Sequence, residues 1–176
     1  TASNIFGFGL TPLGVLGIQA LVSRLDDSFL RYWPIDFLLI SEATVAAALL
    51  NQVVKFAAGR GRPYSVGAAP GSFKDVHDSN LSFFSGHTTF VFALAASAGT
   101  VASLRRYRYA WLVWAVGIPL ATTSSILRIA ADKHWASDVL VGRAEYALGR
   151  LLANSAKFAE SIEHLRKAVA IVEPFG

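Results

Sequence analysis

The chain has 176 residues, 53% of them hydrophobic and 16% charged, with mean hydropathy +0.45, a composition that excludes intrinsic disorder and a charge-rich coiled coil. At this length one domain is expected, and the apolar excess is more than a small soluble core needs, because such a domain covers much of its surface with polar side chains; a membrane protein is the class implied. The absence of cysteine excludes a disulfide framework, a thiolate zinc site and a cysteine nucleophile, and sixteen scattered basic residues at a net charge of +4 make no nucleic-acid-binding face.

With no methionine, a chain that starts at Thr1 reads as a processed product or an excised fragment. Residues 1–23 carry no charge, and the stretch 10–22 is apolar enough for a first membrane helix despite Pro12. A second apolar segment, 35–58, carries Asp36, Glu42, Asn51, Gln52 and Lys55, which are expected to face protein or a watery cavity, since intramembrane polar groups are costly to leave in lipid. Residues 59–85 have the Gly, Pro, Ser and Asp content of a long functional loop.

Residues 88–104 and 109–127 are uncharged and flank a basic turn of Arg105, Arg106 and Arg108, which predicts a hairpin of two spans. At about 1.5 Å per residue the helix 87–104 is roughly 26 Å long, so the loop before His87 and the Arg128 region return to one membrane face and the basic turn lies on the other. The excess of arginine puts that turn in the cytoplasm and the 59–87 loop outside. The expected location is the bacterial inner membrane, with the site facing the periplasm or the exterior.

The composition changes at Gly142, beyond which lie four of the five glutamates. This divides the chain into a core, 1–141, and an amphipathic helical tail, 142–176, whose apolar positions Leu148, Leu151, Phe158, Ile162, Leu165 and Ala168 recur at helical spacing. The tail resembles one tetratricopeptide repeat; packing as an amphipathic helix pair on its own domain explains the pattern equally well. Its apolar face offers a surface to a protein partner.

Three groups of residues on the outer face carry chemistry. Lys55 and Arg62-Pro63, across the Gly-rich break, can direct two cations at an oxyanion such as phosphate. Ser85-Gly86-His87 opens an apolar helix: Ser85 can cap it, Gly86 admits a ligand close to the backbone, and His87 brings an imidazole beside an anion held at the helix N-terminus. His134 and Asp138, four apart and following Arg128, are expected on one helix face, with the carboxylate holding the Nδ1 hydrogen of the imidazole. Asp75, His77 and Asp78 read as polar loop residues near the site rather than metal ligands, and His164 as a surface residue of the tail.

Taken together these groups resemble the signature of the type 2 phosphatidic acid phosphatase family: Lys-x6-Arg-Pro, Pro-Ser-Gly-His and Ser-Arg-x5-His-x3-Asp. Lys55, Arg62, Pro63, Ser85, Gly86, His87, Arg128, His134 and Asp138 match in order and spacing over residues 35–142, with Phe84 in place of the family proline and Leu127 in place of its serine. The resemblance implies an all-α, membrane-embedded helical bundle. It implies that His134 attacks phosphorus, Asp138 orients it and His87 protonates the leaving oxygen, while Lys55, Arg62, Arg128, Ser85 and Gly86 hold the phosphoryl oxygens. No metal and no cofactor is implied; the substrate is a phospholipid or isoprenoid phosphate monoester or pyrophosphate, cleaved through a phosphohistidine.

Soluble acid phosphatases and vanadium haloperoxidases share this constellation, but the two uncharged spans argue against the first and the short chain against the second. A membrane adaptor working through its tail is the reading from another class. The family's sixth span has no counterpart here, since Arg143, Glu145 and Arg150 interrupt it, and one apolar span rather than two precedes the Lys55 helix.

Overall fold

In the computed structural model, residues 2–26, 29–65 and 80–141 are described. The polar loop residues Asp75, His77 and Asp78 and the whole tail, His164 included, lie outside them. The described residues form helices α1 (Ala2–Ile5), α2 (Thr11–Leu25), α3 (Phe29–Ala58), α4 (Gly86–Leu104) and α5 (Ala110–Ala130), and contain no strand. A π-helical turn, Phe6–Leu10, joins α1 to α2 without a break, and a last helix, α6, occupies residues 136–141. Four of these segments are long and apolar enough to cross a membrane: Phe6–Leu25, Arg31–Ser65, Gly86–Leu104 and Ala110–Ala130. The protein is a membrane-embedded helical bundle.

Helix α4 is the axis. It packs against α2, α3 and α5, and the run Ala93, Ala95, Ala96, Ala98 and Ala102 along it is buried. Small side chains let helix backbones approach closely, which is how helices associate where lipid leaves little hydrophobic drive between them. At Gly99 the approach is so close that a Cβ would stand 2.4 Å from the Trp114 ring of α5. Helix α3 is peripheral: Leu38, Val45, Leu49, Val53 and Phe56 are exposed along it and present an apolar face to lipid.

The polar residues of α3 divide by position. Asp36, Asn51 and Lys55 are buried against the bundle, as expected of intramembrane polar groups, whereas Glu42 lies on the exposed side of the helix, contrary to the sequence expectation. Asp36 and Lys55 are nineteen residues apart, so they sit about 29 Å from each other, at opposite ends of the bundle. At the Asp36 end its carboxylate, fully buried, accepts hydrogen bonds from Arg105 Nε at 2.8 Å and from Tyr107 Oη at 2.7 Å. Arg105 also lies 4.4 Å from the centre of the Tyr32 ring, and Asp26 accepts the Arg108 backbone N–H at 2.8 Å. The basic turn is thereby tied to the ends of α2 and α3.

These contacts predict an order of stabilities. Arg105→Ala leaves the fully buried Asp36 carboxylate without its counter-ion, a loss of about 2–4 kcal/mol, less than for a pair buried on both sides because Arg105 is itself part-exposed. Asp36→Asn keeps a hydrogen-bonding group and leaves a part-exposed Arg105 that can turn to water, at about 1–2 kcal/mol. Thermal unfolding in detergent should rank wild type above Asp36→Asn and that above Arg105→Ala; the reverse order would remove the buried carboxylate as the constraint.

Candidate active site

At the opposite end, α3, α4 and α5 end or begin around a cavity of about 550 Å³. Its wall includes Lys55 from α3, Arg62 from the following loop, Arg128 from α5, Lys133 and His134 from the turn beyond it, and Gly86 and His87 from the start of α4. Four cations and two imidazoles line it, and no carboxylate does among the described residues. Such a wall suits an oxyanion. Phe8, Ala48 and Phe90 give one side of the cavity an apolar lining.

Each segment reaches the cavity for a local reason. Gly59 closes α3 with a left-handed φ of +55°, and its N–H bonds to the Lys55 carbonyl at 3.1 Å; that conformation suits glycine and turns the chain so that Arg62 comes back over the helix end. Ser85 caps α4, accepting the Thr88 N–H at 3.4 Å, and directs the first N–H groups of α4 at the cavity. Gly86 is required by space: a Cβ there would stand 2.9 Å from Asn51 Oδ1 and 3.3 Å from Lys55 Nζ. Asn51 Nδ2 donates to the Phe84 carbonyl at 2.9 Å, which ties the start of α4 to α3.

His134 is buried in the turn just before α6 rather than within a helix. Its Nδ1 lies 2.9 Å from the Ser82 carbonyl and 3.8 Å from Asp138 Oδ2. A carbonyl can only accept, so Nδ1 carries the hydrogen and Nε2 has the lone pair. The four-residue spacing points to Asp138 as the direct partner; the structure interposes Ser82. Asp138, fully buried, accepts instead from Arg60 Nη1 at 2.7 Å, from the Ser82 hydroxyl and from the Trp135 backbone N–H at 3.0 Å. The last contact is that of an acidic N3 residue reaching back to the helix start. Arg62 Nη1 donates to the Lys133 carbonyl at 3.2 Å and Trp135 Nε1 to the Gly61 carbonyl at 3.0 Å, so the 59–62 loop is laced to the 133–138 turn.

His87 has a partner that spacing gives no hint of. Its Nε2 is 3.1 Å from Asn4 Oδ1, and the same oxygen accepts from Arg128 Nη1 at 3.1 Å. The Phe8 ring lies 4.2 Å, centre to centre, from the imidazole. Ser82, Arg60, Lys133 and Asn4 are thus site residues that the motif matches left out; Arg60 and Lys133 lie within the first and third motif groups and Ser82 three residues before Ser85, while Asn4 stands near none of them.

The sequence profile of the PAP2 superfamily matches residues 36–155. The chain belongs to the PAP2 superfamily. Comparisons with curated proteins and with solved structures gave no match. The PAP2 match begins at the buried Asp36, takes in every residue of the three motif groups, and runs past the composition change at Gly142. Membership supports a phosphatase-type function, and with the four apolar helices it makes this a membrane protein.

In this PAP2 site burial drives the His134 imidazole down from 6.5 to about 3, with Arg62, Arg128 and Lys55 pushing the same way and the bond to the Ser82 carbonyl opposing them. The ring is neutral at neutral pH. An unfolded chain binds the proton near pH 6.5 and the folded one only near 3, so stability is lost as pH falls from 6.5 toward 3 and is level above that window. Nitrogen-15 spectra of ring-labelled protein in detergent should hold the His134 signal neutral from about pH 8 down to about pH 5; a titration near pH 6.5 would contradict the buried, cation-flanked setting.

Proposed function

We propose that the chain hydrolyses a phosphate monoester or pyrophosphate carried by a lipid, through a phosphohistidine on His134. The observation that carries this is the neutral His134 with its Nδ1 hydrogen bound to the Ser82 carbonyl, which leaves Nε2 with a lone pair at a cavity lined by cations. That is the arrangement of an activated nitrogen nucleophile.

Nε2 of His134 attacks phosphorus as the bond to the leaving oxygen breaks. Lys55, Arg62 and Arg128, with the Gly86 N–H at the start of α4, whose first turn Ser85 caps, offset the charge on the equatorial oxygens and are in place before the reaction begins. His87, doubly protonated once the anionic substrate is bound, donates its Nε2 proton to the leaving oxygen and is left neutral. Water then attacks the phosphohistidine, giving its proton to His87, and the P–N electron pair returns to His134. Asp138 acts through its contacts with Ser82 and Trp135, which fix the loop that holds the imidazole.

The apolar wall of Phe8, Ala48 and Phe90 supports a lipid leaving group, as does the position of the cavity at the end of membrane-crossing helices. The basic turn lies at the other end, and its arginines favour the cytoplasm for that end and the outer face for the active site.

The two histidines should separate by leaving group. An alkoxide departs poorly unprotonated, so His87→Ala should lose on the order of 10²–10⁴ in turnover of an alkyl phosphate, while a nitrophenyl ester, whose phenolate leaves unaided, should still give an acid-labile phosphoenzyme. His134→Ala should give none with either ester. A phosphoenzyme surviving in His134→Ala, or label trapped on His87, would reverse the assignment.

Activity should persist in chelator and be blocked by vanadate, because cations and amides bind the oxyanion and a vanadate ester on His134 resembles the five-coordinate state. Arg62→Lys should lower turnover, since an ammonium cannot reproduce the guanidinium fork that also reaches the Lys133 carbonyl. Loss of activity in chelator with recovery on adding a divalent ion would overturn this mechanism.

A further inference from the structure

The amide of Asn4 has a defined orientation although amide oxygen and nitrogen are alike in shape. Arg128 can only donate, so the atom 3.1 Å from its Nη1 is the oxygen. The same oxygen faces His87 Nε2 at 3.1 Å, so that nitrogen carries the hydrogen. Two donors therefore converge on one acceptor, at the place where a leaving oxygen would take the His87 proton and where the second-step water would return one. Asn4 is exposed and sits near the end of α1, so its side chain can swing back to admit that oxygen. Its neighbours hold the arrangement: Phe8, four residues on, lies against the imidazole, and a Cβ on Gly7 would come within 3.2 Å of His87 Cδ2.

Water and an alcohol differ in what they need here. An attacking alcohol has one hydroxyl proton, which goes to His87. Water has two, and its second proton needs an acceptor in a site whose charged groups, Lys55, Arg62, Arg128 and Lys133, are all donors. Asn51 Oδ1, a second amide oxygen in the cavity wall, is buried without a hydrogen-bond partner and sits beside Gly86 and Lys55 rather than at His87 Nε2. Asn4 Oδ1 is the acceptor at His87.

We propose that Asn4 determines the specificity of the second step, accepting a hydrogen bond from the spare O–H of the attacking water and so favouring hydrolysis over phosphoryl transfer to alcohols. The inference rests on the phosphohistidine reading. In that step the water oxygen bonds to phosphorus, one proton passes to His87 Nε2, the other stays on the new phosphate and is hydrogen-bonded to Asn4, and the P–N bond breaks toward His134.

The test is the partition of the phosphoenzyme between water and methanol, with nitrophenyl phosphate as donor and detergent-solubilised full chain. Nitrophenol counts turnovers, and phosphorus NMR counts methyl phosphate against inorganic phosphate; a product ratio does not depend on the fraction of protein that is folded. Asn4→Ala should raise the methyl phosphate to phosphate ratio roughly three- to tenfold, the worth of one hydrogen bond. Asn4→Asp, which keeps an acceptor, should stay near wild type. An unchanged ratio in Asn4→Ala, an equal rise in Asn4→Asp, or no methyl phosphate from any of the three proteins overturns the inference. Phosphoenzyme trapping on His134, read in the same samples, tests the underlying covalent reading separately.

Discussion

Asp138 is a fully buried carboxylate, and the site is arranged around the need to compensate it. A buried charge without donors is among the most destabilising groups a protein can hold. Its three donors come from three segments: Arg60 from the loop after α3, the Ser82 hydroxyl from the stretch before α4, and the Trp135 N–H from the turn after α5. Satisfying one carboxylate therefore fixes three pieces of irregular backbone relative to one another. The Asp138 carbonyl adds a fourth tie, accepting the Ser85 N–H at 3.2 Å, so the first turn of α4 is registered on the same residue.

The bilayer imposes the rest. Irregular backbone at membrane depth is tolerated only where protein covers it or where it lines a cavity, and here it is gathered at one end of the bundle. The opposite end has its own buried carboxylate, Asp36, answered by Arg105 and Tyr107. Between the two ends the helices meet on the small-residue surface of α4, which brings Lys55, His87 and Arg128 from three helices to one cavity.

Much of this was legible in the sequence because it is local. Charge-free runs mark the spans, and the motif spacing marks six residues that line the cavity, Lys55, Arg62, Gly86, His87, Arg128 and His134, together with Ser85 and Asp138, which are buried behind it. What escaped depends on contacts between distant segments. The four-residue interval of His134 and Asp138 suggests a helix face, yet α6 starts only after His134, and a carbonyl fifty-two residues earlier in the chain takes the imidazole hydrogen. Asn4 is eighty-three residues from His87, and no local pattern distinguishes it from other polar residues of the first segment. Glu42 shows the converse limit: its cost in lipid predicts a buried partner face, and the helix phase set by Asp36, Asn51 and Lys55 turns it outward instead.

His87 and His134, both in the cavity wall, share a residue type and are differentiated by which acceptor each meets. A backbone carbonyl takes the Nδ1 hydrogen of His134 and leaves Nε2 with its lone pair; an amide oxygen, fixed in orientation by an arginine that can only donate, takes the Nε2 hydrogen of His87. Around the same cavity one imidazole thus presents a lone pair at Nε2 and the other a hydrogen. Nearby cations alone would not achieve this, because repulsion disfavours the protonated form without choosing which nitrogen of a neutral ring keeps its hydrogen. The choice is made by oxygen atoms on two otherwise unrelated segments, residues 80–85 and α1, which is why both must be held against the bundle for the site to exist.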